Sequence, residues 1–115
     1  MRARIGDHLF VGLRRIWRRP GQGSQSWKAS KAWLDLNNIV GRDDGAVPKK
    51  YRELIAVAVA CTTQCPYCIE AHAKAAKAAG ASREELVETA FVAAALRAGG
   101  AATHGAMALK FFDQD

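Results

Sequence analysis

The chain has 115 residues, half of them apolar and about a quarter charged, which suits one globular domain. Its three cysteines do not form the even-numbered disulfide framework of a small secreted protein, so we expect a reducing cytoplasm. No apolar run approaches the roughly 18 to 20 residues of a membrane span, and the charged N-terminus is a poor signal peptide.

The first 23 residues are predicted to form a basic arm and a linker, and residues 24–115 the helical domain. The apolar residues of the arm recur at helical spacing among arginines: Ile5, Leu9, Leu13 and Ile16. Six arginines and one aspartate account for most of the net charge of +6. The arm either packs on a neighbouring subunit or binds anionic lipid, nucleic acid or an acidic protein. The domain itself is nearly neutral, so we expect no nucleic-acid partner for it.

Helical periodicity continues through the rest of the chain, and no segment has the pattern of a strand. The predicted helices run from about Ser26 to Gly41, from Pro48 to about Thr63, from Pro66 to Ala79, from Ser82 toward Gly99-Gly100, and through a last segment with Met107, Leu109 and Phe111. Ser82 and Glu85 have the spacing of a capping box. The predicted class is therefore all-α, a compact helical domain.

Cys65-Pro66-Tyr67-Cys68, with His72 beyond it, is the part of the sequence that most clearly indicates chemistry. Pro66 suits the first position of a helix, so Cys65 falls near the N-cap and Cys68 in the first turn. At a helix start the dipole and the free N–H groups favour thiolate over thiol. His72 follows Cys68 by four residues and lies on the same helix face, where it can accept a proton. The motif predicts a dithiol that forms and reopens a disulfide.

Three motifs occur here in an order and spacing shared with one known family. They are Pro48-Lys49-Lys50-Tyr51-Arg52-Glu53-Leu54-Ile55, then Cys65-x-x-Cys68-x-x-x-His72, then Gly80 before a Ser-x-x-Glu helix start. Over about residues 27 to 112, the chain resembles the carboxymuconolactone decarboxylase family, in particular its alkylhydroperoxidase D-like branch with redox cysteines. The resemblance implies an all-helical homo-oligomer, often a trimer or hexamer, with one thiol pocket in which a glutamate, two cysteines and a histidine meet.

The resemblance also implies a role for each of four side chains. Cys68 would attack the substrate and Cys65 would resolve the intermediate formed on Cys68, while His72 and Glu53 would move protons. Position alone leaves the order of attack open, because the first cysteine of such a loop is usually the more exposed; the histidine four residues after Cys68 favours Cys68. Without the resemblance, a lone glutamate such as Glu53 is usually a solvated charge. The implied protein is an antioxidant oxidoreductase that reduces hydroperoxides, as a peroxidase, or small disulfides. Its electron donor would be a dithiol, such as a lipoylated protein; we expect no cofactor, and no Gly-rich phosphate loop occurs in the chain.

Other functions within the same fold stay open. Peroxidase relatives have a histidine between the two cysteines, where this chain has Tyr67. A phenol is a poor proton acceptor near neutral pH, so dithiol exchange is favoured over peroxide reduction. Lactone decarboxylation, the reaction that names the family, does not rely on a Cys-x-x-Cys pair. A redox-sensing or assembly module without turnover is a further alternative.

A structural zinc site is the main alternative from another class of function. Cys61, Cys65, Cys68 and His72 would supply four nitrogen and sulfur ligands. The second cysteine pair that such sites usually take from a distant segment is missing, so we expect no metal. Cys61 is therefore predicted to be a buried, inert thiol, and His104 a packing or capping histidine.

Overall fold

The computed structural model describes residues 24–114, which form four helices and contain no strand. The helices are α1, Ser24–Gly41; α2, Lys49–Thr63; α3, Pro66–Ala78; and α4, Arg83–Phe112. The all-α class predicted from the sequence is confirmed. The predicted basic arm, residues 1–23, lies outside the described residues.

The starts of α3 and α4 follow the predicted capping signals. Cys65 is the N-cap of α3 and Pro66 is its first residue. At the start of α4, the Ser82 hydroxyl accepts from the Glu85 N–H at 3.0 Å, and the Glu85 carboxylate accepts from the Ser82 N–H at 2.8 Å. This reciprocal pair is the capping box. Gln64, at φ 55, ends α2 in the left-handed region, so the chain turns at once into α3.

The predicted helix break at Gly99-Gly100 is wrong. The structure has a single helix of 30 residues from Arg83 to Phe112 in place of two predicted segments. A glycine inside a helix costs about 1 kcal/mol relative to alanine, but it keeps the N–H and C=O groups that continue the helix. Alanines flank the two glycines and no proline follows them, so the helical hydrogen bonds run through.

α2 is the central helix and packs against α1, α3 and α4. The buried residues of the described chain lie mostly on one face of α2 and are completed from α3 and α4: Glu53, Leu54, Val57, Ala60, Ala76 and Ala93. Alanine at these contacts lets the helices approach closely but gives each helix little apolar area to bury. Glu53, the charged member of this set, is therefore a buried carboxylate on the central helix.

A salt bridge joins the first turn of α2 to the start of α4. Lys50 Nζ donates to Glu85 Oε1 at 2.7 Å, and both side chains are partly exposed. This bond, helped by the Ser82 N–H, holds the pKa of Glu85 below its usual value, and the same bond raises the pKa of Lys50. Both groups therefore stay charged around neutral pH, and their bond links α4 to the helix that carries Glu53.

The C-terminal half of α4 has no neighbouring helix along it within the described chain. Every residue from Ala94 to Gln114 is exposed. Large apolar side chains are common along it: Leu96, Met107, Leu109, Phe111 and Phe112. Most of the stability of a helix in a protein comes from packing of its apolar face, which this segment lacks within the described residues. None of the described helices, this one included, is long and apolar enough to cross a membrane.

Candidate active site

The two sulfur atoms of the Cys-x-x-Cys motif meet at the start of α3. Cys65 Sγ and Cys68 Sγ are joined as a disulfide, and their Cα atoms lie 5.3 Å apart. The Cys68 N–H, one of the free donors at the helix start, donates to Cys65 Sγ at 3.3 Å. This bond and the helix dipole stabilise negative charge on Cys65 when the disulfide opens. The arrangement can therefore release Cys65 as a thiolate.

Glu53 and His72 form a hydrogen-bonded pair where α2 packs on α3. His72 Nδ1 lies 2.7 Å from Glu53 Oε2, and the exposed fraction of the side chain is 3% for Glu53 and 18% for His72. With the proton of this bond on Nδ1 and the carboxylate as acceptor, Nε2 is left free to take up a proton. This is the arrangement of a general base that is oriented by a buried carboxylate.

An open apolar cavity of about 400 Å³ lies beside this pair, with walls from α1, α2 and α3. Cys68 and His72 line it, whereas Cys65 does not. The other walls are mostly aliphatic side chains from the end of α1 and from α2, among them Ile39, Val40, Ile55 and Val59. A small organic molecule in this cavity would lie against Cys68, next to the histidine that can move its proton.

The other residues considered in the sequence lie away from this cavity. Tyr67, between the two cysteines, is 71% exposed. Cys61 is a free thiol and partly exposed, so its predicted burial is wrong; the neighbouring helices do not fully cover the last turns of α2. The His104 ring donates from Nδ1 to the Gly100 carbonyl at 2.9 Å on the exposed half of α4. Within residues 24–114, no three His, Cys, Asp or Glu side chains group closely enough to hold a metal ion.

Arg52 and the end of α1 were not identified from the sequence. Arg52 Nη1 donates to the Ile39 carbonyl at 2.9 Å, and Nη2 donates to the Arg42 carbonyl. These bonds attach the end of α1 to α2 at the point where Ile39 and Val40 line the cavity. No local signal indicated this contact, since an arginine on an amphipathic helix is most often a solvated charge.

Comparison with known proteins agrees with this fold. The family model for the carboxymuconolactone decarboxylase family matches residues 28–111. The chain belongs to this family. Its fold resembles the crystal structure of an apo carboxymuconolactone decarboxylase family protein from Legionella pneumophila, with 30% sequence identity and a TM-score of 0.61. That similarity covers 95% of this family member and 91% of the Legionella chain.

Two further proteins are similar in sequence to this family member. Uncharacterised protein 4 in the cox locus of Paracoccus denitrificans is 48% identical over 83 residues, which is 72% of this chain and 74% of the relative. An uncharacterised protein of Cupriavidus necator is 36% identical over 105 residues, 91% of this chain and 93% of the relative. Neither name states an activity.

Proposed function

We propose that the protein is a thiol-dependent oxidoreductase that cycles Cys65 and Cys68 between dithiol and disulfide. The observation that carries the proposal is that Cys68 and His72 line one apolar cavity, while the buried Glu53 is hydrogen-bonded to Nδ1 of His72. A nucleophile, a proton-transfer group and space for a small organic substrate are thus next to one another. Cys65, at the N-cap, supplies the second thiol.

The first half of the cycle oxidises the pair. With a hydroperoxide, the Cys68 thiolate attacks the terminal oxygen; the O–O bond breaks, and an alcohol and a Cys68 sulfenic acid form with a proton supplied through His72. Cys65 then attacks the sulfenic sulfur, the disulfide forms, and water leaves. With a small disulfide, Cys68 first forms a mixed disulfide and releases one thiol, and Cys65 then displaces the second.

The second half of the cycle reduces the pair at the expense of a dithiol donor. Attack by the donor on Cys68 Sγ releases Cys65 as a thiolate, which the Cys68 N–H and the helix dipole stabilise. The second donor thiol then frees Cys68 and leaves the donor as a disulfide. A lipoylated protein is one dithiol of this class, and a reducing compartment such as the cytoplasm suits the regeneration step.

We expect measurable but modest hydroperoxide turnover beside faster exchange with small disulfides. Peroxide reduction requires a proton in the step in which the thiolate attacks, whereas disulfide exchange already has a tolerable leaving group. Tyr67 lies between the two cysteines, where peroxidase relatives have a histidine, so an imidazole there could supply a proton to the leaving oxygen. Tyr67→His should therefore raise peroxide turnover by about tenfold. The test is to assay cumene hydroperoxide and an aromatic disulfide on one preparation, with dihydrolipoamide as the donor.

Tyr51→His, which makes the same change in the first turn of α2, is the matched control for Tyr67→His. Peroxide turnover that stays equal or falls in Tyr67→His, while Tyr51→His matches the wild type, would contradict the role assigned to this position. Disulfide formation without turnover of either substrate would reject the enzyme and favour a redox sensor.

We also propose that the protein is a homo-oligomer, such as a trimer or hexamer, in which the exposed half of α4 packs on another copy. The support is the run of exposed apolar residues from Leu96 to Phe112, which the described part of the chain does not cover. Burying such side chains contributes about 1.5–3 kcal/mol each, more than enough to offset the low stability of an unpacked helix.

Light scattering should therefore give a multiple of the 12.4 kDa chain mass. The double variant Leu109→Ser with Phe111→Ser should shift the protein toward monomer and reduce its helix content, since it removes two large apolar side chains from this surface. Lys110→Ser, which lies between the two positions, should leave the mass unchanged. A folded wild-type monomer of 12.4 kDa would refute the proposal.

A further inference from the structure

We propose that Arg52, whose guanidinium lies beside Gly45, is a positioning residue that holds the α1 wall of the cavity next to Cys68. The hydrogen bonds from its guanidinium to the end of α1 are called the clamp. The use of that cavity for substrate rests on the function proposed above. The inference concerns a different part of the site from the thiols and the Glu53–His72 pair: it assigns the binding of an apolar substrate group to the junction between α1 and α2.

The guanidinium of Arg52 is bonded to the end of α1 through two main-chain carbonyls. Nη1 donates to Ile39 at 2.9 Å and Nη2 donates to Arg42, just beyond the end of the helix at Gly41. The last carbonyls of a helix lack an intrahelical partner and carry the negative end of its dipole. The Arg52 guanidinium supplies hydrogen-bond donors to these carbonyls and a positive charge at the negative end of the dipole. The position of this helix end therefore depends on Arg52.

The backbone at Gly45 lies close to the same guanidinium. A Cβ atom at position 45 would lie 2.6 Å from Arg52 Nη1 and 2.9 Å from its Cζ. A side chain at this point and the observed arginine position therefore exclude one another. Because the clash is with the far end of a flexible side chain, an alanine at position 45 would displace the guanidinium and leave the backbone of the loop in place.

The clamp carries an energetic cost. Arg52 Nε is buried and has no hydrogen-bond partner among the described residues. An orphaned donor destabilises the folded chain, so Arg52→Met removes this penalty together with the two carbonyl bonds. We therefore expect Arg52→Met to fold, with a change in the cavity larger than the change in stability.

The cavity wall is the part of the site that depends on this clamp. Ile39 and Val40, on the turn that Arg52 holds, line the cavity together with Arg52 itself, Cys68 and His72. α1 packs mainly on α2, so few other contacts would keep this turn in place. Without the clamp the wall should move outward and an apolar group should bind less well, while Cys68 and His72, both on α3, keep their places.

Two maleimides with the same electrophile and different side groups test this directly. The fully reduced protein is treated with limiting N-methylmaleimide or N-phenylmaleimide, and tandem mass spectrometry gives the rate at Cys68. The ratio of the phenyl rate to the methyl rate cancels any change in thiolate fraction. In the wild type this ratio should exceed that of glutathione by about tenfold, because the phenyl group enters the apolar cavity. Cys65, which does not line the cavity, provides the reference within the same molecule.

The ratio at Cys68 should fall to within about twofold of the glutathione value in Arg52→Met and in Gly45→Ala, since the wall no longer contacts the phenyl group. Arg83→Met makes the same substitution at the exposed start of α4 and should keep the wild-type ratio. Wild-type ratios in both clamp variants, with unchanged circular dichroism, would overturn the proposal; if Arg52→Met does not fold, Gly45→Ala decides alone.

A turnover assay separates this inference from the proposed function. If both hold, the KM for cumene hydroperoxide should rise in the clamp variants by more than kcat falls, because substrate binding is weakened more than the chemistry. If the wild type has no turnover but the maleimide ratio behaves as described, the proposed function fails and the clamp stands. If turnover is normal and the ratio does not respond to either variant, the clamp fails alone.

Discussion

Replacing Cys68 by serine is expected to abolish turnover of hydroperoxides and of small disulfides alike. Cys68 is the cysteine of the pair that lines the cavity with His72, so it is the sulfur that a bound substrate meets. Removing the nucleophile of a covalent mechanism should lower kcat by roughly 10³-fold or more. Steady-state assays of both substrates with dihydrolipoamide as the donor measure this loss.

Cys65→Ser should behave differently, since it keeps the attacking thiol and removes the resolving one. The first reaction should proceed once per chain and then stop, with a sulfenic acid or a mixed disulfide accumulating on Cys68. Intact mass spectrometry after one equivalent of oxidant detects either product. Cys61→Ser, which removes the free thiol of α2, should keep most of the activity. The opposite pattern, a single reaction in Cys68→Ser and none in Cys65→Ser, would show that the two roles are exchanged.

The second large effect is expected at the buried pair. His72→Ala should lower peroxide turnover near neutral pH by about 10²-fold, because general acid–base catalysis by a positioned imidazole is lost. Glu53→Gln should lower it by about tenfold. A glutamine keeps the shape of the side chain and can still accept from His72 Nδ1–H, but it removes the negative charge that would stabilise the imidazolium formed during proton transfer.

The pH dependence separates this role from a structural one. In both variants iodoacetamide should alkylate Cys68 more slowly than in the wild type at neutral pH. At a pH above the pKa of the thiol, where no base is needed to deprotonate it, the rates should converge. His104→Ala removes an exposed histidine of α4 and serves as the control. Wild-type rates at pH 7 in both His72→Ala and Glu53→Gln would reduce the pair to a structural contact.

Local signals were sufficient to predict where α3 and α4 begin. Pro66 at a first helical position and the Ser82–Glu85 capping box are satisfied within one turn of chain, so a short window of sequence contains the whole interaction. The break predicted at Gly99-Gly100 failed for a related reason. Glycine lowers the stability of a helix without forbidding it, and the outcome depends on the neighbouring alanines.

The candidate site could not be predicted from local sequence patterns, because its contacts join residues that are distant in the chain. Glu53 and His72 are 19 residues apart and meet only because α2 packs on α3; the family resemblance, and not the helical pattern, selected this glutamate. The clamp from Arg52 to Ile39 joins a side chain to a main-chain carbonyl, and a carbonyl has no signature in the sequence. Gly45 likewise has no sequence signature for its role: it leaves room for the Arg52 guanidinium, and its backbone does not need a positive φ.

The most direct test of the dithiol cycle is a thiol count on the full chain. The reduced protein should have three titratable thiols, in keeping with its three cysteines. One equivalent of hydrogen peroxide per chain should remove two of them as a Cys65–Cys68 disulfide, leave the Cys61 thiol, and allow a dithiol donor to restore the full count. The loss of a single thiol, a dominant bond to Cys61, or a failure of the dithiol to restore the pair would contradict the cycle.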